Sequence, residues 1–252
     1  RFARRLAHAR SERRRGSGAA GARRCRPSWA YGTTDMDAMR DVSIGDAALP
    51  GSLRIPPNAI GFVIFAHGSG SSRLSPRNRA AAAAFAREGL GSLLFDLLTP
   101  EEALDRRNVF DVALLARRVV EAIDATRSLA LPIGLYGAST GAAAALLAAA
   151  TRTSEVVAVV SRGGRPDLAG AALANVRAPT LLLVGGADTE VLALNRAAAR
   201  LLRCPWELVV VPGATHLFEE PGALDAVLGH ATDWFVSHCA PPVGSRPRAT
   251  GT

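Results

Sequence analysis

In Gly137-Ala138-Ser139-Thr140-Gly141 a serine stands between two glycines. The apolar run LPIGLY precedes it and the helix-forming run AAAALLAAAT follows. That order suits a nucleophile elbow, a strained turn that lifts a serine hydroxyl above the edge of a sheet. Glycines at 137 and 141 let the strand and helix backbones pass close together. An ordinary strand-to-helix turn, with Ser139 capping the helix, fits the same five residues. A hydroxyl is a poor nucleophile by itself, so the decision rests on finding a base and a carboxylate to orient it.

Two later segments supply them in the required chain order of serine, acid, histidine. PTLLLVGGADTE places Asp188 just past an apolar strand, and ELVVVPGATH places His216 just past the next. Asp167, one strand earlier, and Glu190, two residues beyond Asp188, are weaker rivals for the acid. His230 and His238 fall within the final helical pattern, where histidine usually packs or faces solvent, and His8 lies in the N-terminal segment. Acyl transfer also needs donors for the oxyanion. The N–H of Thr140, at a helix start, is one candidate, and Ser69 in the loop AHGSGSS is the other. His67 in that loop reads as a structural pin rather than a catalyst. Arg73 and Arg162 fall on the same sheet edge, where a guanidinium could hold a substrate carboxylate. An ion pair of Arg162 or Arg165 with Asp167 is the competing account. Asp96, ending its strand, reads as an acceptor that fixes a loop.

These residues must be positioned by elements that alternate along the chain. DVSIGDAALPGSLRI reads as a two-stranded ribbon with Gly-Asp and Pro-Gly turn signals. GFVIFAH, GSLLFDLL, LPIGLYG, EVVAVVS, PTLLLVGG and ELVVVPG read as buried strands. Helices are expected after Ser75-Pro76, over VFDVALLARRVVEAIDATR, TGAAAALLAAATR, ALNRAAARLL and ALDAVLGHATDWFVSH, with TPEEALDRRN as a loop. Continuous apolar strands alternating with helices mean an α/β fold, a mostly parallel sheet of about eight strands covered on both faces. The loops after the strands then share one edge, where ligands bind in such folds. No insertion long enough for a lid domain is visible.

Composition narrows the function class. The net charge of +8 is carried by residues 1–35, where ten Arg face only Glu12 and Asp35; residues 36–252 balance twenty Arg against twenty acids. The folded part is neutral, which argues against nucleic acid as a partner. All thirty basic residues are Arg, so lysine chemistry is excluded. Cys25, Cys204 and Cys239 show neither disulfide nor zinc spacing, and with no metal or cofactor motif they point to a reducing, cytoplasmic setting. No apolar run approaches the roughly twenty residues of a membrane span. Residues 1–35 read as a disordered, Arg-rich extension, for which an organelle presequence or a segment upstream of Met36 or Met39 both fit. The folded domain is expected over 36–238, with 239–252 a loose tail. Nothing specifies an oligomeric state.

AHGSGSS, GASTG, VGGADTE and PGATHLFEEPG together resemble the α/β-hydrolase superfamily, in particular its dienelactone hydrolase-like branch, over roughly residues 40–237. The resemblance implies an α/β-hydrolase fold and a triad of Ser139, Asp188 and His216. Dienelactone hydrolases carry cysteine at the elbow, and their acidic segment before the oxyanion loop is His67-Gly68 here. Ester, lactone or thioester hydrolysis of a small molecule is therefore the expected activity. Some relatives are fused to a phosphoribosyltransferase domain, but the tail here shows no diphosphate-binding loop. A non-catalytic binding module on the same fold is the alternative.

Overall fold

The computed structural model describes residues 39–240. The expected extension over 1–35, Cys25 and all but the first two residues of the expected tail lie outside them. Eight strands form one sheet: β1 (Arg40–Ile44), β2 (Leu49–Arg54), β3 (Gly61–Ala66), β4 (Leu90–Phe95), β5 (Ile133–Ala138), β6 (Val156–Arg162), β7 (Thr180–Gly185) and β8 (Trp206–Val211). Their order is β1-β2-β4-β3-β5-β6-β7-β8, with β1 and β2 antiparallel to their neighbours and the others parallel. Every residue of β3, β4, β5 and β7 is buried. This is why those segments read as unbroken apolar runs: both faces of the sheet are covered.

Helices α1 (Pro76–Arg87) and α7 (Ala223–Cys239) cover one face. Phe85 of α1 stands edge-on to Tyr136 of β5 and Phe235 of α7, with centroids 5.6 and 5.4 Å apart. The other face carries α4 (Val112–Thr126), α5 (Thr140–Thr151) and α6 (Thr189–Ala199). Nine of the twelve residues of α5 are buried, because α4 and the 3-10 turns over Pro166–Asn175 enclose it as the sheet does. Alanine suits that position: it is the best helix former, and its size admits neighbours on all sides. No helix among the described residues is long and apolar enough to cross a membrane.

The structure departs from the sequence reading in four places, one being β8, read as buried but exposed at Trp206 and Glu207 because it is an edge strand. Pro50-Gly51 lies inside β2 and the turn falls at Gly45–Ala48; proline is tolerated near a strand start, and Gly51 lets Leu93 and Phe95 pack across it. TPEEALDRRN forms two single-turn helices, α2 (Pro100–Leu104) and α3 (Arg106–Phe110). A capping box between Thr99 and Glu102 starts the first, and the Asp105 side chain, accepting from the Arg107 N–H, starts the second. The long helix expected from Val109 breaks at Asp111, whose Oδ1 accepts the Leu114 N–H at 2.9 Å and starts α4 anew. Asp111→Ala should therefore cost about 1 kcal/mol, while Asp111→Asn, an equivalent cap, should be near neutral. In thermal unfolding the alanine variant should melt about 2–4 °C lower and the asparagine variant with wild type.

Candidate active site

Ser139 follows β5 with φ 50° and ψ −123°, a backbone conformation that a side chain bearing Cβ rarely adopts. It occupies the N-cap position of α5, yet its side chain caps nothing. That removes the ordinary capping account of this serine. Neighbours hold the turn: the Ser139 N–H donates to the Arg162 carbonyl at 3.3 Å, and its own carbonyl accepts from Ala142 (3.1 Å) and Arg165 (3.0 Å). A Cβ at Gly137 would stand 2.8 Å from the Ala142 nitrogen, and one at Gly141 would collide with the carbonyls of Ala66 and His67. Glycine is required at both because strand, helix and the loop after β3 converge there.

Asp188 repeats this pattern. It is the N-cap residue of α6, makes no side-chain cap, and instead accepts from His216 Nδ1 at 2.7 Å. The loops bearing the two residues are laced together by Gly186 N–H to Val211 carbonyl (2.8 Å) and Ala187 N–H to Ala214 carbonyl (2.9 Å). The His216 loop meets the elbow through Gly163, where a Cβ would be 3.1 Å from the His216 carbonyl and 3.6 Å from its Nδ1. Gly163 directly follows Arg162, whose carbonyl holds Ser139. The sequence reading passed over Gly163 and over Phe218, which is buried at positive φ and anchors the His216 loop against that glycine. Neither carries a periodic signal, since both act in turns.

The rivals sit elsewhere. Asp167 is held by Arg165 through two nitrogens at 2.8 and 2.9 Å, and Glu190 is exposed. His230 is exposed on α7, and His238 is bonded to the Trp234 carbonyl of that helix. Cys204 and Cys239 are free and buried, and burial pushes both thiols up, Cys239 to about 11. Thiols held protonated in this way are poor nucleophiles.

On the other side of Ser139, Gly68 packs so closely that a Cβ there would lie 2.9 Å from the serine Cβ. The Ser69 N–H donates to Thr140 Oγ1 at 3.1 Å, tying the loop to the start of α5. Both expected oxyanion donors thus adjoin the serine, with the Ser69 N–H already engaged by the threonine hydroxyl. Arg73 is committed to Asp96, its N–H at 2.7 Å and Nη1 at 2.8 Å. Arg162, by contrast, is only 9% exposed and does not pair with Asp167. The loop after β3, residues 67–73, lines one side of a cleft of about 390 Å³ whose apolar wall includes Leu97, Leu98, Pro100, Ala103, Val109 and Leu115. It suits an apolar portion of a small ligand.

No protein-family model matches the chain. It is 51% identical to the dienelactone hydrolase from Anabaena variabilis, whose crystal structure superposes with a TM-score of 0.78 over 81% of this chain and 99% of that one. The fold and site thus define an α/β-hydrolase, and the chain belongs to the dienelactone hydrolase family. Two Mycobacterium tuberculosis proteins, each named "Putative phosphoribosyl transferase", are 54% identical over 205 residues. That match covers 80% of this chain but 46% of theirs, so the chain spans just under half the length of those relatives. Est1E from Butyrivibrio proteoclasticus shares the fold at 16% identity, with a TM-score of 0.67 over 79% of this chain and 98% of that one.

His67 shows how the site depends on pH. Its Nε2 accepts the Leu97 N–H at 3.1 Å while its Nδ1 donates to the Gly68 carbonyl at 3.0 Å, so the ring is neutral. Burial holds its pKa below the ordinary imidazole value. Because the folded value is depressed, the stability it contributes is present above about pH 6.5 and is lost as pH falls from there through the folded pKa. His67→Gln keeps an acceptor for Leu97 without titrating. Melting curves should show wild type losing more stability than this variant as pH falls below about 6.5. Parallel curves would remove His67 from the pH response.

Proposed function

We propose that the chain is a serine hydrolase that cleaves an ester, lactone or thioester of a small molecule through an acyl-enzyme. The observation that carries this is the left-handed Ser139 whose hydroxyl is withheld from capping α5. Such strain persists only where surrounding structure enforces it, and an exposed nucleophile is the reason an elbow is built. His216 takes the Ser139 proton as Oγ attacks the carbonyl carbon, and Asp188 accepts from Nδ1 to fix the tautomer and stabilise the imidazolium. The N–H groups of Thr140 and Ser69 receive the developing oxyanion, which displaces the Thr140 hydroxyl as acceptor for Ser69. The protonated His216 then gives its proton to the leaving alcohol or thiol as the carbon–oxygen or carbon–sulfur bond breaks. Water repeats both transfers, releasing the acid and restoring Ser139.

The phosphoribosyl transferase name belongs to proteins more than twice the length of the match. The match to the dienelactone hydrolase covers 81% of this chain and 99% of that one, which supports hydrolysis for this chain. Free, buried Cys204 and Cys239 support a reducing, cytoplasmic setting. Short p-nitrophenyl esters should be turned over, and a fluorophosphonate should label Ser139. Ser139→Ala should abolish labelling and lower kcat by about 10⁴-fold or more, with Asp188→Asn costing on the order of 10⁴-fold. Equal turnover and labelling of wild type and Ser139→Ala would overturn the mechanism, leaving a binding module on this fold.

A further inference from the structure

Asn195 lies in the middle of α6 and is 0% exposed. Its amide nitrogen donates to two carbonyls, that of Gly164 at 2.9 Å and that of Val191 at 2.8 Å, while its Oδ1 is enclosed without a partner. As packing alone this is a poor choice. Asparagine is a weaker helix former than leucine or alanine, and an enclosed oxygen without a partner costs stability. The bond to Val191 stays within the helix, four residues back. The bond to Gly164 crosses 31 residues of chain to the turn after β6, and only a donor can make it.

That turn is where the loops of the site meet. The Gly164 carbonyl and the Arg165 N–H belong to one planar peptide group. Asn195 holds its carbonyl end, and its N–H end donates to the Ser139 carbonyl at 3.0 Å. Two hydrogen bonds thus connect α6 to the strained elbow. Fixing the carbonyl end stops the peptide from rotating and keeps its N–H aimed at Ser139. Gly164 leaves no slack, since a Cβ there would collide with Ser161 Oγ and stand 2.6 Å from the Ala142 Cβ. The preceding residue, Gly163, packs on the His216 loop. At the other end, Asn195 stands seven residues, or two helical turns, after Asp188, so the two lie along one side of α6. Asn195 therefore joins the helix that starts at the carboxylate to the turn that touches both serine and histidine.

We propose that Asn195 is a positioning residue: by clamping α6 to the 164–165 peptide it keeps Ser139 in register with the Asp188–His216 pair. It acts through that peptide and touches no reacting atom. This rests on the serine hydrolase reading, and a readout without turnover separates the two. Asn195→Leu removes the donors at similar volume, and Asn195→Ala removes them without added bulk. Leu192→Ala, at a buried apolar residue of the same helix that has no hydrogen bond to offer the turn, is the control for lost packing. Assayed well below their melting temperatures on short p-nitrophenyl esters, both Asn195 variants should lose kcat on the order of 10- to 100-fold with KM little changed, the scale of a misplacement of about 1 Å. Leu192→Ala should melt lower than wild type and keep its kcat.

The proton of His216 Nδ1, shared with Asp188 at 2.7 Å, supplies the readout that needs no turnover. It should give a downfield resonance in proton NMR that His216→Gln lacks. In the Asn195 variants that resonance should move upfield and broaden, and in Leu192→Ala it should stay. Wild-type kcat in a folded Asn195 variant, a change in KM alone, or an equal loss of kcat in Leu192→Ala would overturn the assignment. So would matching spectra of wild type and the Asn195 variants. Failure of both variants to fold would make Asn195 a residue of stability alone, which overturns it too. Absent turnover of every ester together with absent fluorophosphonate labelling in wild type would instead remove the serine mechanism, and the resonance would still judge Asn195.

Discussion

The positive φ of Ser139 is the constraint around which the C-terminal edge of the sheet is arranged. A non-glycine residue in a sparsely populated backbone region costs on the order of 1–3 kcal/mol, and the surrounding structure must enforce it. Here the enforcement comes from three directions: the Arg162 carbonyl on β6, the Arg165 N–H beyond it, and the first turn of α5. The glycines at 137 and 141 add a steric requirement, because Ala142 lies against one and the carbonyls ending β3 against the other. β3, β5 and β6 must therefore stop at matching levels. Their parallel register, Ala66 opposite Gly137 and Ala138 opposite Arg162, achieves this.

From that constraint the placement of the remaining groups follows. The turn after β6 is drawn to Ser139, and its Gly163 leaves room for the loop that carries His216. That loop is fixed by Phe218 in the core and by backbone bonds to the turn that carries Asp188. Asp188 and Ser139 hold equivalent posts at helix starts, and both leave the usual capping bond unmade. Aspartate and serine at such positions ordinarily stabilise the helix by about 1 kcal/mol. Diverting the Asp188 carboxylate to His216 exchanges some helix stability for an oriented imidazole. Along the rest of the edge Asp96, Asp167 and Glu219 are each matched with an arginine, whereas Arg162 has no ion pair among the described residues.

The two faces of the sheet support the edge by different packing. Against α1 and α7 the sheet presents aromatic rings, with Phe65, Phe85, Tyr136 and Phe235 locked together. Against α5 it presents close backbone approach, made possible by a helix composed almost wholly of alanine and leucine. A bulkier α5 would stand farther from β5 and could not begin with so sharp a turn. The alanine-rich run is thus core packing, and it is also what allows the elbow beside it.

Local sequence determined a great deal here, because the signals are short-range. Six apolar runs flanked by glycine, proline and polar residues specified strands, the last of them, β8, an edge strand that is buried only at Val211. Ser139, Asp188 and His216 were legible because each stands just after such a run, in a fixed chain order. Even the helix break at Asp111 has a local cause, a cap whose signal was masked by the apolar periodicity continuing across it, and the short helices in TPEEALDRRN start from the local caps Thr99 and Asp105. Tertiary structure alone decided which charges meet. Arg73 with Asp96 and Glu219 with Arg77 are separated by 23 and 142 residues, and their pairing depends on the strand order and on where each loop folds back. The isolation of Arg162 depends equally on where every other carboxylate went. Electrostatic partnership is a property of distance in space, and the sequence orders residues only along the chain.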